Sequence, residues 1–185
     1  QAALLTDFQS SLLAAIAGTG SGKTMLLYWW LHSRMEAYPG NTWAIAEPTY
    51  KMLDRIILNS SDPGRPSLFD YLKQVGHNPR WIDKTSLIME TDWGKIYLGS
   101  ADNPDSMQGA AVKGYGLDES GQMKQLAHDT ARQRCAMLSG QVLHTTTPYN
   151  LGALKIEVWD RRNEPGIHVE SWRSIDRPGF PRASY

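Results

Sequence analysis

The sequence predicts an α/β domain with a mainly parallel central sheet and helices on both faces, and three observations carry that expectation. Short apolar runs alternate with longer helical patterns along most of the chain. A glycine-rich loop joins the first run to an apolar helix, and adjacent carboxylates close a later run. At 185 residues, 41% hydrophobic and 21% charged, the chain has room for one domain with a sizeable core, spanning residues 1–185.

Taken in order, Leu12–Ala17 has the length and composition of a buried strand, and Met25–Leu31 continues from the glycine-rich loop as an apolar, buried helix. Asn41–Glu47 reads as a second strand stopped by Pro48, after which residues 50–58 turn helical. Asp62-Pro63-Gly64-Arg65-Pro66 is a loop, and Ser67–Val75 an amphipathic helix capped by Ser67 and ended by Gly76. Ser86–Glu90 and Lys95–Leu98 flank Asp92-Trp93-Gly94 as a β-hairpin. Val112–Asp118 is a strand, Lys124–Leu138 a helix, Gln141–Thr147 a strand, Leu151–Arg161 a helix and Ile167–Trp172 a last strand, with no internal repeat.

Residues 17–24, Ala-Gly-Thr-Gly-Ser-Gly-Lys-Thr, form a phosphate-binding loop with Ala17 where the first glycine usually stands. Gly18, Gly20 and Gly22 let backbone N–H groups turn inward around Thr19 and Ser21. Lys23 can reach the β- and γ-phosphates, and the Thr24 hydroxyl can ligate Mg²⁺. Tyr115-Gly116-Leu117-Asp118-Glu119 ends a core strand with two carboxylates suited to two roles: Asp118 in the Mg²⁺ shell, Glu119 as the base that polarises an attacking water. Gly114 and Gly116 interrupt the fuller apolar run usual in such a strand.

Together these features predict a P-loop NTPase of the additional-strand, catalytic-glutamate type, using ATP and Mg²⁺. A GTPase is disfavoured because no Asn-Lys-x-Asp stretch is present to select guanine. A small nucleoside or nucleotide kinase remains the alternative, with Arg132 and Arg134 as the clustered arginines available to a lid. Thr145, Thr146 and Thr147 end a strand broken by Pro148, the position of a sensor that couples loss of the γ-phosphate to movement.

Composition narrows the partners. With 19 basic and 19 acidic residues, binding to DNA must come from a local patch or from a ring of subunits. Cys135 is the single cysteine, which excludes an intramolecular disulfide and Cys-rich zinc sites and suits a reducing cytosol. No run reaches the roughly 18 apolar residues of a membrane span. The start at Gln1 reads as a trimmed chain rather than a signal peptide, and the chain is expected to be part of a longer protein.

The combination resembles the large terminase subunit, the DNA-packaging ATPase of tailed double-stranded DNA bacteriophages. The resemblance rests on Phe8-Gln9, Ala17–Thr24, Glu47-Pro48-Thr49-Tyr50, the stretch Ser100–Gly109, Leu117-Asp118-Glu119, Thr145-Thr146-Thr147-Pro148-Tyr149, and Ser171–Pro181. It implies that Gln9 hydrogen-bonds adenine, that Thr49 and Tyr50 lie beside the nucleotide and the DNA-facing surface, and that Thr145–Thr147 couple hydrolysis to motion. It further implies a ring, of five subunits, docked on the portal of an empty head in the host cytoplasm, with double-stranded DNA, a small terminase subunit and a C-terminal nuclease domain as partners. That nuclease would lie beyond Tyr185, so this chain is expected to hydrolyse ATP without cutting DNA. Many members carry an arginine inside the loop where this chain has Thr19 and Ser21, and some before the glycine matching Gly109, where Gln108 stands. The arginine for the γ-phosphate is therefore sought in trans among Arg132, Arg134 and Arg80.

Overall fold

A strand buried on both faces needs a covering layer on each, and the alternation of strand and helix supplies both layers. The computed structural model describes residues 1–60, 64–148 and 151–176. Within them one sheet of eight strands forms: β1 (Leu12–Ala17), β2 (Asn41–Glu47), β3 (Arg80–Asp83), β4 (Ile88–Thr91), β5 (Gly94–Ser100), β6 (Gly114–Leu117), β7 (Gln141–Thr146) and β8 (Ile167–Trp172). Their spatial order is β3-β4-β5-β2-β6-β7-β1-β8. β3, β4 and β5 run antiparallel as the expected hairpin and one further strand, and every other pairing is parallel. β7 lies between β1 and β6, so the strand entering the phosphate loop and the strand ending at Asp118 are separated by one added strand.

The helices are α1 (Ala2–Thr6), α2 (Lys23–Ala37), α3 (Tyr50–Leu53, prolonged as a π-turn over Asp54–Leu58), α4 (Leu68–Gln74) and α5 (Gln125–Ala136). Leu13, Ala15, Trp43, Ile45 and Leu143 point to one face and pack with Leu27, Trp30 and Leu31 of α2 and with Leu68 and Leu72 of α4. Their chain neighbours Leu12, Ala44, Ala46 and Val142 point to the other, against Ala127, Ala131 and Cys135 of α5. Ala14 and Ile16 are covered there by Leu154 and Val158. Each large side chain buried in this way stabilises the fold by about 1.5–3 kcal/mol. Among the described residues no helix is long and apolar enough to cross a membrane.

Most elements fall where the sequence places them, with local differences. α4 begins as expected, the Ser67 hydroxyl accepting from the Asp70 amide, and Gly76 follows it at φ +90°. Trp29 is 41% exposed, because α2 turns one side of its apolar surface away from the sheet. The helix expected over 151–161 is shortened to 153–159, its last five residues, Lys155–Trp159, forming a π-turn, and it seats Leu154 and Val158 on β1. β3 is an edge strand of four residues with an irregular register against β4, and only Trp81 packs on the core, so periodicity does not announce it. Asp62, Pro63, Tyr149, Asn150 and Arg177–Pro181 of the motifs above lie outside the described residues.

The glycines of β6 have a packing cause. A Cβ on Gly116 would lie 2.3 Å from Cδ1 of Leu27, and one on Gly114 would lie 2.9 Å from the rings of Trp30 and Trp43. Two bulky helix residues thus press onto a strand that must be bare to receive them. Gly116→Val is expected to cost about 1–3 kcal/mol through overpacking, read as a lower midpoint in urea unfolding with an unchanged slope.

A second consequence of this core is pH dependence. His144 on β7 is fully buried, and its ring nitrogens meet no hydrogen-bond partner among the described residues. It stacks 5.3 Å from His128 of α5. Burial, and then the charges of His128 and Arg132, hold its pKa well below the ordinary imidazole value. The folded state keeps this ring neutral while the unfolded chain takes up a proton below about pH 6.5. Stability is therefore fully present above that pH and falls as pH drops, by about 1.4 kcal/mol per unit for each such proton. In His144→Leu, urea unfolding measured from pH 7 to 5 should show a pH slope of stability shallower by up to one proton.

Candidate active site

The phosphate loop takes its shape from two left-handed glycines, Gly20 at φ +71° and Gly22 at φ +89°, the latter capping α2. Gly18 is needed for a different reason: a Cβ there would sit 2.1 Å from the Ser174 hydroxyl. That hydroxyl donates to the Thr19 carbonyl at 2.8 Å, the Trp172 indole N–H to the Ser21 carbonyl at 3.4 Å, and the Gly18 amide to the Trp172 carbonyl. The Trp-Arg-Ser stretch that closes β8 is thus the outer brace of the loop. Gln1 adds a further contact, its side-chain amide donating to the Ser21 carbonyl at 3.1 Å. The brace falls in the Ser171–Pro181 stretch of the resemblance, but its contacts with the loop, like that of Gln1, join residues well separated along the chain and could not be read from local sequence.

Lys23, nearly buried, donates to the carbonyls of Ala17 and Gly18 at 3.0 and 3.2 Å and to the Thr147 hydroxyl at 3.1 Å. Its ammonium also lies 3.7 Å from a Glu119 carboxylate oxygen. Thr24 donates its hydroxyl to Asp118 at 2.8 Å, and Thr145 donates to the other oxygen of the same carboxylate. Thr147 holds Glu119 through its amide and hydroxyl at 3.3 Å, and the Thr146 hydroxyl accepts from the Gly121 amide at 3.1 Å. Thr147 therefore bridges Lys23 of the phosphate loop and Glu119, while Thr145 holds Asp118 and Thr146 the turn at Gly121.

Register explains this convergence. Leu117 pairs with His144 and Ile16 with Thr146, so the residue after each pair lies level with its neighbour and Asp118 comes beside Thr145. Glu119 then adopts φ +46°, a left-handed conformation uncommon outside glycine and associated with functional positions. The turn aims its carboxylate back toward Lys23 and Thr147.

These groups border a cavity of about 270 Å³ lined by Thr19–Met25, Ile56, Gly64, Arg65, Asp118 and Glu119. Its chemistry suits a polyphosphate: the inward loop faces Lys23, and the Ser21 hydroxyl is buried without a partner among the described residues. Thr24 and Asp118 offer hard oxygen donors of the kind Mg²⁺ takes. Among the described residues no three His, Cys, Asp or Glu side chains are arranged to hold a metal alone, so phosphate and water oxygens would complete such a shell.

Two residues at this site were given no role by the sequence, although both fall in stretches quoted there. Glu47, at the end of β2, is completely buried, and among the described residues neither oxygen meets an N–H or O–H donor. Burial, then the adjacent Asp118 and after it Glu119, push its carboxyl well above the usual range. Arg65 lines the cavity from the segment before α4. A carboxylate at the end of a β-run and an arginine in a loop carry no local signature.

Other expected residues lie elsewhere. Gln9 is exposed, its amide bonded to Asp7, and it does not line the cavity. Thr49 caps α3 through the Met52 amide, and Tyr50 is exposed. Arg132 pairs with Asp129 and Glu157, Arg134 donates to the Gly109 carbonyl, and Arg80 pairs with Glu90. Within one chain none of the three reaches the cavity.

The brace gives a direct test of the loop geometry. Gly18→Ala should displace the Ser174 hydroxyl and weaken ADP binding about tenfold or more, the equivalent of one lost hydrogen bond, whereas Ser174→Ala, which frees that space, should weaken it less in the same fluorescence titration. The double variant should recover most of the loss.

No protein-family model matches the sequence, and no curated protein matches it. Solved structures do. The large terminase of a thermophilic bacteriophage in complex with ADP superposes with a TM-score of 0.74 at 18% identity, over 90% of this chain and 41% of that one. The complex of the same terminase with ATP-gamma-S gives 0.75 at 16% identity, over 95% and 42%. The large terminase ATPase domain of Thermus phage P74-26 gives 0.67 at 18% identity, over 93% of this chain and 78% of that domain. The chain thus spans less than half the length of the nucleotide-bound terminases and most of an isolated ATPase domain. In its added β7, its parallel core and its phosphate loop, this chain has the fold of the large terminase ATPase domain.

Proposed function

We propose that this chain is the ATP-hydrolysing motor domain of a phage large terminase, one domain over residues 1–185, that drives double-stranded DNA into a procapsid. The observation that carries the proposal is the convergence of Lys23, Asp118 and Glu119 on one cavity, with Thr147 bonded to both Lys23 and Glu119 behind it, in a terminase fold. The likeness to proteins solved with ADP and with ATP-gamma-S supports a nucleotide in that cavity. Nothing in the fold or the cavity favours the kinase alternative.

In this reading the loop amides and Lys23 bind and orient the phosphates, and Thr24 and Asp118 would hold Mg²⁺, which would supply neutralisation of the phosphate charge. Glu119 accepts a hydrogen bond from the attacking water and withdraws its proton as the new oxygen–phosphorus bond forms, leaving ADP and inorganic phosphate. Thr147 keeps that carboxylate aimed while contacting Lys23, so a change at either group shifts the end of β7. Thr145 and Thr146 carry the same strand end to Asp118 and Gly121.

The larger assembly belongs to the same proposal: a ring docked on the portal, a small terminase subunit, a C-terminal nuclease domain and a place in the host cytoplasm. A ring would let a few basic residues per subunit, repeated around a pore, grip the phosphates of DNA despite balanced charge.

Steady-state ATP hydrolysis with and without double-stranded DNA tests the core of the proposal. Glu119→Gln should lower turnover by at least about 10²-fold, the usual worth of a positioned base, while leaving ADP binding within a few-fold. Lys23→Ala should lose both. Phosphate transfer to an added nucleoside, with hydrolysis unaffected by Glu119→Gln, would overturn the motor reading.

A further inference from the structure

The cavity contains an arginine from an unexpected source. Arg65 precedes α4, and its segment contributes a wall that neither the phosphate loop nor the β6 carboxylates form. Its backbone carbonyl is anchored by the Ser60 hydroxyl at 2.7 Å, which fixes the residue's base. Among the described residues its Nε is buried without a hydrogen-bond partner, although Glu119 borders the same cavity. A buried guanidinium N–H left unmatched is costly, and its planar set of donors fits a phosphate in a bidentate manner.

The surrounding charge points the same way. Lys23 and Arg65 are the cationic side chains among the cavity's lining residues, and Asp118 and Glu119 the anionic ones. Lys23 lies beside Thr147 and Glu119, and the positive charge of Arg65 opposes the rise that burial and Asp118 impose on the Glu47 carboxyl. Arg65 therefore shares one cavity with Lys23 and both carboxylates, the groups that would surround the bond-breaking chemistry of a triphosphate. Arg80, Arg132 and Arg134 are each engaged outside it.

We propose that Arg65 is a catalytic arginine acting in cis, donating to the terminal phosphate of the bound nucleoside triphosphate, so that a single chain carries a complete hydrolytic site. This rests on the ATPase reading above. The step is the same hydrolysis: water attacks phosphorus, Glu119 takes the proton, the bond to the ADP oxygen breaks, and Arg65 stabilises charge on the transferred phosphoryl oxygens without exchanging atoms. Ring formation would then regulate or synchronise turnover rather than supply a missing group.

The test compares wild type, Arg65→Ala and Arg65→Lys, using fluorescent ADP and ATP-gamma-S titrations and turnover over a broad dilution series of the protein. Arg65→Ala should hold ADP within about threefold, bind ATP-gamma-S about tenfold or more weakly for a lost charge-assisted hydrogen bond, and turn over about 10³-fold more slowly. Arg65→Lys should recover part of the ATP-gamma-S affinity but little turnover, because an ammonium cannot reproduce the planar fork. Wild-type turnover per chain should not change on dilution. Equal weakening of both nucleotides, or an unchanged rate in Arg65→Ala, would overturn the assignment, as would a wild-type rate that rises with concentration and vanishes in Arg132→Ala or Arg134→Ala. In each of those cases ADP binding and its loss in Lys23→Ala would leave the ATPase reading standing; a wild-type chain that binds neither nucleotide would remove both.

Discussion

The parallel register of β1, β7 and β6 is the constraint on which the site depends. Because β7 is inserted between the other two and runs past the end of β6, its terminal threonines occupy the space between the phosphate loop and the carboxylates. A shift of one residue in either ladder would turn Thr145 to the opposite face and separate it from Asp118. The apolar alternation of β1 and β7 forbids that shift, since it would bring Leu13 and Leu143 out of the α2 layer. Core packing thus sets the geometry of the candidate site directly.

The close seating of α2 follows the same logic. Its first residue is Lys23, so its position over the sheet decides where the ammonium lies. Glycines in β6 allow Leu27 and Trp30 to approach the strand, and Arg34 at the other end fixes the helix along its axis. Arg34 is buried and donates to Gln141 on β7 and to the carbonyls of Leu5 and Asp7, while Trp30 donates to the same Gln141. Burial lowers the Arg34 pKa to about 10, and the guanidinium still carries its charge at neutral pH. A polar network at the lower end of α2 and an anion cradle at its upper end therefore share one rigid element, and the Trp172–Ser174 brace closes the cradle from β8.

The site's polar groups are linked in a way that suits transmission. Lys23, Thr147 and Glu119 form one connected set, and Thr24, Asp118 and Thr145 another. Both sets terminate on β7, so whatever alters the contacts of Lys23 or Thr24 with a ligand acts on the same strand end. The left-handed turn at Glu119 gives this carboxylate a local structure of its own, held by side-chain contacts rather than by the ladder.

The strands β1, β2, β7 and β8, the loop 17–24, the capped helix at Ser67 and the carboxylates 118–119 were legible in the sequence, because each depends on short-range chemistry. Periodicity marks a buried strand, glycines mark a positive φ, and a hydroxyl before a helix marks its cap. The sequence by itself therefore determined the class of fold, the phosphate-loop pattern and the candidate residues Lys23, Thr24, Asp118 and Glu119. Tertiary structure alone decided that Ser174 and Gln1 support the loop, that Glu47 is buried against Asp118, that Gln9 stays outside the cavity and that Arg65 enters it. Those outcomes turn on where the chain returns after tens of residues, and such proximity is set by strand order and packing, which leave no mark on neighbouring residues.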